Sequence, residues 1–194
     1  MKITKEVQGL ILLIARETLN SLFIEDAHFT NIDYNVYPQL TKRNSGAFVT
    51  LKVNSNLRGC IGYLSSPNML IDTVKEATIQ AATNDPRFNP VTEDELSKIN
   101  IEVSILSPAI PISNYADIKI GEHGLILDDP FNRAVLLPQV ATENNFSVPQ
   151  FLTALCEKAG INPYAWEQQP LKLKVFTAAV ISELGKRKKT YDSA

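Results

Sequence analysis

The chain has 194 residues, enough for one ordinary domain or two small subdomains that need no disulfide or metal to hold a core. Hydrophobic residues make up 44% and charged residues 21%, a globular composition that argues against wholesale disorder and against a membrane-embedded fold. Lys and Arg number 19 against 21 Asp and Glu, and a formal net charge of −2 leaves no basic excess to build a broad nucleic-acid surface.

The longest early apolar run, Leu10–Ala15, falls short of the roughly 20 residues that span a bilayer. Lys2, Lys5, Glu6 and Arg16 flank or interrupt the N-terminal stretch and no small-residue cleavage site follows, so a cytoplasmic protein with no membrane association is expected. Two cysteines, Cys60 and Cys156, stand far apart and make no disulfide framework. With His28 and His123 the only histidines, no metal-ligand spacing arises, and neither a metal nor a cofactor is expected.

In chain order, residues 5–22 carry Val7, Leu10, Ile11, Ile14 and Leu22 at helical spacing, with Thr4 as N-cap and Glu6 in the first turn. Periodicity vanishes from Glu25 to Ser45, which predicts a long connection. Gly46–Val53 alternates, Ala47, Val49, Leu51 and Val53 on one face and Thr50 and Lys52 on the other, and Asn54-Ser55-Asn56 turns it into a second strand, Leu57–Leu64. Ser66 and Pro67 predict a helix start, with Leu70, Val74, Ala77 and Ala81 as its stripe, ended by Asn84-Asp85-Pro86-Arg87-Phe88-Asn89-Pro90.

Thr92 and Glu95 form a capping box for a short helix, with Val91 and Leu96 placed as a hydrophobic staple. A strand follows from Ile99: Ile101, Val103 and Ile105 face one way, Glu102 and Ser104 the other. After a linker over Pro108–Tyr115, Gly124–Leu127 and Ala134–Leu137 flank a turn and predict a hairpin. Ser147 and Gln150 are a second capping box, Phe151, Leu152, Leu155 and Cys156 its stripe, and Gly160 its end. Leu171–Leu184 predicts a strand. The order strand, strand, helix, short helix, strand thus occurs twice, over 46–107 and 117–184, and predicts an α+β fold with mostly antiparallel sheets and an internal repeat. The basic run Lys186–Lys189 is read as a solvated end.

Leu57-Arg58-Gly59-Cys60-Ile61-Gly62 is the most unusual stretch. As a strand it sends Arg58, Cys60 and Gly62 to one side and Leu57, Gly59 and Ile61 to the other, and its two glycines suit a close approach of another group to the backbone. This segment, with Gly46–Leu51 before it, then Asp85-Pro86-Arg87-Phe88, Glu102-Val103-Ser104-Ile105-Leu106, His123-Gly124 and Leu136–Ala141 in order after it, resembles the AMMECR domain family over nearly the whole chain, from Leu10 to about Glu183. A departure falls at Asn145-Phe146, where many relatives place a tryptophan. The resemblance implies a single AMMECR-like domain over 1–194, a two-subdomain α+β fold and a cleft lined by the LRGCIG segment. It also implies working partners: a radical-SAM enzyme and a protein related to extradiol dioxygenases.

For chemistry, Cys60 is a candidate nucleophile if Arg58 stabilises its thiolate and His123 takes its proton; its bland counterpart is a small side chain packed on a strand. Arg58 and Glu102 can equally bind an anion and handle a proton or form internal ion pairs, and Ser104 shares the face of Glu102. Asp85 and Arg87 favour a structural role as turn chemistry. Ligand-binding candidates are therefore Arg58, Cys60, Glu102, Ser104 and His123, with Cys60 and His123 the catalytic candidates. No P-loop, dinucleotide fingerprint or complete catalytic constellation occurs, which favours a ligand- or partner-binding module. The alternative is an enzyme acting on a small polar or modified substrate in a cleft containing Arg58, Cys60 and His123.

Overall fold

The computed structural model describes residues 3–183, so the basic run and the expected strand end at Leu184 lie outside the described residues. Mixed helices and antiparallel strands make the expected α+β fold. The chain divides into two compact units, one running through Ile105 and taking up the chain again from Ala179, the other Leu106–Ala178.

The first unit opens with α1 (Lys5–Asn20), where Thr4 caps by accepting the Val7 N–H at 3.3 Å and Val7, Ile11, Ile14 and Leu19 are buried. The long connection is fastened by fully buried Leu40 and by Tyr37, whose hydroxyl donates to Glu6. Then come β1 (Gly46–Val53) and β2 (Asn56–Tyr63), an antiparallel hairpin with Thr50 opposite Cys60. Its two-residue turn holds Asn54 at φ 50 and Ser55 at φ 68, the left-handed geometry that matches strand twist. Ala47, Val49 and Leu51 are fully buried against α2 (Leu70–Thr83) and α1.

Helix α2 starts later than Ser66-Pro67 predicts. Met69 occupies the N-cap without a side-chain bond, and the first amides are taken by backbone from the long connection: Leu70 N–H by Lys42 and Ile71 N–H by Leu40. Ser66 accepts from Asn68 instead. The Thr92–Glu95 capping box forms as expected but opens only one 3₁₀ turn, Glu93–Glu95. Strand β3 (Ile99–Leu106) buries Ile101, Val103 and Ile105 in the same core. The order β2-β1-β3 leaves β2 at the edge.

The second unit holds β4 (Ile110–Ile112), β5 (His123–Asp128), β6 (Arg133–Leu136), α3 (Pro138–Glu143), α4 (Val148–Lys158), α5 (Ala165–Gln168) and most of β7 (Leu173–Ser182). Strand β5 pairs with β6 in the expected hairpin and with β7, and β4 pairs with β7 through Pro111 opposite Lys174. The linker expected over Pro108–Tyr115 thus contains a short strand, and α3 and α5 are additional helices too short for a period to show. Gly124 sits under the Phe176 ring, where an added Cβ would collide. The Ser147–Gln150 capping box opens α4, and Phe151, Leu152, Leu155, Leu125 and Leu127 are the buried centre.

Candidate functional site

The LRGCIG segment is β2, and each residue has a distinct neighbour. Gly59 faces α2 so closely that an added Cβ would collide with the Ala81 carbonyl. Gly62 lies against Phe48 on the strand's other side, where a Cβ would meet Phe48 Cγ at 2.5 Å. The glycines therefore let a helix and an aromatic ring approach opposite faces of one strand.

Arg58 is held as a fork. Its Nε donates to Glu95 Oε1 at 2.6 Å and its Nη2 to Oε2 at 2.8 Å, while Nη1 reaches the Asn89 carbonyl and Nη2 the Pro90 carbonyl. The guanidinium beside Glu95 lowers that carboxyl from 4.5 to about 2, with Thr92 N–H adding to the effect. Four of the five donors of Arg58 are thus engaged by the segment that follows α2.

That segment also closes the sheet edge. Asp85 accepts the Cys60 N–H at 2.8 Å and Arg87 donates to the Cys60 carbonyl at 3.2 Å, so an acid and a base supply the bonds a further strand would make. The Asp85 side chain is only 2% exposed, and hydrogen bonds from the Arg87 guanidinium, then from the Cys60 and Arg87 amides, hold it well below the usual carboxylate range despite burial. Arg87 is 54% exposed, and its Nη1 has no hydrogen-bond partner among the described residues.

On the face opposite α2, the Cys60 thiol stands 3.3 Å from the Thr50 hydroxyl. Lys52, two residues along β1, pairs with Glu102 of β3 at 3.2 Å. These four side chains are half-buried, and Ser104 beyond Glu102 is buried. The structure therefore brings Cys60 and Glu102 to one sheet face, joined through Thr50 and Lys52, and turns Arg58 to Glu95. His123 belongs to the second unit, opposite Thr177, with its Nδ1 accepting the Lys119 N–H at 3.3 Å. Among the described residues no three His, Cys, Asp or Glu converge as metal ligands. No described helix is long and apolar enough to cross a membrane.

Three participants escaped sequence reasoning. The capping-box spacing points to Glu95 only as a partner of Thr92; its carboxylate accepts the Thr92 N–H and binds Arg58 at once. Alternation places Thr50 and Lys52 on the outer face of a strand, and only pairing register sets Thr50 against Cys60.

The fold and this edge-sealed strand define an α+β protein built around an LRGCIG hairpin. The AMMECR1 family model matches residues 12–181, and the chain belongs to that family. It is 42% identical over 154 residues to a protein of Methanothermobacter thermautotrophicus, covering 76% of this chain and 80% of that one. It is 41% identical over 159 residues to Protein MJ0810 of Methanocaldococcus jannaschii, covering 78% and 79%. The crystal structure of the uncharacterized protein PH0010 from Pyrococcus horikoshii superposes with a TM-score of 0.80 at 31% identity over 93% of each chain.

Proposed function

We propose that the protein is a binding module whose working surface is the sheet face carrying Thr50, Cys60, Lys52 and Glu102, rimmed by Arg87. The observation that carries this reading is the environment of Cys60: its thiol meets the Thr50 hydroxyl, a group too weakly basic to take a thiol proton at neutral pH, and the Arg87 guanidinium, a cation that attracts an anion but accepts no proton. A sheet face with a half-buried ion pair, a thiol and a hydroxyl offers hydrogen bonds and charge to a ligand or partner. Arg87 is the most exposed cation here, 54% against 31% for Lys52, so an anionic group on the ligand or partner would meet Arg87 while Arg58 stays with Glu95. In this reading the module acts in the cytoplasm beside the radical-SAM enzyme and the extradiol-dioxygenase-related protein implied by the family resemblance.

The test is a titration of the purified chain against each of those two proteins, repeated with Lys52→Ala and Arg87→Gln. Binding by the parent chain that weakens at least tenfold in one variant, with the far-ultraviolet spectrum unchanged, supports the module. Turnover of a defined substrate by the isolated chain, abolished in Cys60→Ser while the fold persists, replaces it with the enzyme reading.

A further inference from the structure

The second unit carries a separate feature. A slot of about 350 Å³ lies between α4 and α5, lined by the rings of Phe146, Tyr164 and Trp166, by Pro149, and by Glu157 and Glu167. The Trp166 ring is fixed from two directions: Nε1 donates to the Thr153 hydroxyl at 3.1 Å, and Tyr115 meets the ring edge-on, centroids 6.2 Å apart at 78°. Tyr164, which lines the slot, is 57% exposed, so its ring is open to solvent. Glu157 and Glu167 make no ion pair among the described residues. Lys158, the nearest cation in sequence, donates to the Val135 carbonyl.

We propose that this slot binds an organic ammonium cation, its head against the faces of Phe146, Tyr164 and Trp166 and its charge balanced by Glu157 and Glu167. Aromatic faces are negative in quadrupole and attract a cation that sheds its water easily, an alkylated ammonium above all. Two carboxylates at the rim add attraction that a neutral ligand of the same shape does not receive. The pinned indole keeps the slot formed before binding, so little ordering entropy is lost.

Because Trp166 is the one tryptophan in the sequence, its emission reports the slot directly. The full chain is titrated with choline, with a short peptide carrying trimethyllysine, and with 3,3-dimethyl-1-butanol, the uncharged isostere of choline. The expected result is a saturable change in emission with one or both cations, and on the order of tenfold weaker binding of the alcohol. Equal binding of choline and peptide identifies the free head group as sufficient; much tighter binding of the peptide identifies a lysine side chain as the source. A double variant, Glu157→Gln with Glu167→Gln, should weaken cation binding roughly tenfold without moving the thermal midpoint. The proposal is overturned if the alcohol binds as well as the cations, if the double variant binds unchanged, or if emission shows no saturation up to about 10 mM.

Discussion

The carboxylate of Asp85 accepts the backbone N–H of Cys60 while its partner Arg87 donates to the backbone carbonyl of the same residue, so two side chains 25 and 27 positions away complete the hydrogen bonding of one strand residue. Asp85→Ala removes the buried acceptor, strands the Cys60 amide and takes from Arg87 the carboxylate that positions it. We expect a loss of about 2–4 kcal/mol in urea unfolding, because a broken charge-assisted pair costs more than the pair's net worth. A loss under 0.5 kcal/mol would show that water replaces Asp85 at the edge.

Arg58→Lys separates two roles. If Arg58 served only a ligand, stability would not change; held by Glu95 and two carbonyls, it should cost about 2 kcal/mol, since lysine cannot reproduce the planar fork. Chemical denaturation of the variant beside Glu95→Gln checks this, and the two losses should be strongly non-additive in the double variant.

Acid should find both carboxylates. Glu95, lowered from 4.5 to about 2, and Asp85, lowered below the ordinary carboxylate range, bind protons less readily folded than unfolded. Their contribution is complete above the unfolded value and is lost as pH falls through the folded one. Urea midpoints should therefore fall from about pH 4.5 toward pH 2, and the fall should shrink in Glu95→Gln. An identical acid profile in that variant would remove Glu95 from the account.

The glycines predict two kinds of failure. Gly59→Ala drives a Cβ into the Ala81 carbonyl and should cost about 1–3 kcal/mol or more, because backbone must move. Gly160→Ala meets nothing within 4 Å but keeps φ at 71°, so the cost is local strain of about 1–2 kcal/mol. Thermal melts of the two variants, with Gly160→Asn as a residue that tolerates this conformation, rank these costs.

The cysteines should differ in access. Cys60 is half-buried on the sheet face, whereas Cys156 is fully buried and burial pushes its thiol up. Peptide mapping after native alkylation should find Cys60 modified and Cys156 intact until denaturant is added. Modification of Cys156 first would contradict this packing.

Elements whose pattern is local are legible in the sequence. Alternation drew the β1–β2 hairpin, and two capping boxes, Thr92–Glu95 and Ser147–Gln150, formed where read. Strand β4 is not legible because Pro111 interrupts a three-residue strand, nor is α5, because four residues carry no period. Ser66 misleads as the α2 start because the carbonyls that take the first amides, those of Lys42 and Leu40, arrive from a distant loop. Strand alternation predicts Arg58 and Cys60 on one side, but Arg58 falls at the register shift between the Gly59 and Leu57 pairs and turns to Glu95, while Cys60 faces Thr50. The Arg58–Glu95 pair spans 37 positions, and only tertiary folding decides whether such a fork faces a ligand or a neighbour.

The sealed edge of β2 also sets a clock. The Cys60 amide is bonded to a side chain instead of a neighbouring strand, so deuterium can reach it when the Asp85–Pro90 wrap swings out, with the rest of the hairpin still paired. While the wrap is away, β2 presents an unpaired ladder on which a foreign peptide could add itself as a strand. The exchange rate of that one amide therefore measures how often the sheet is open to an extended guest.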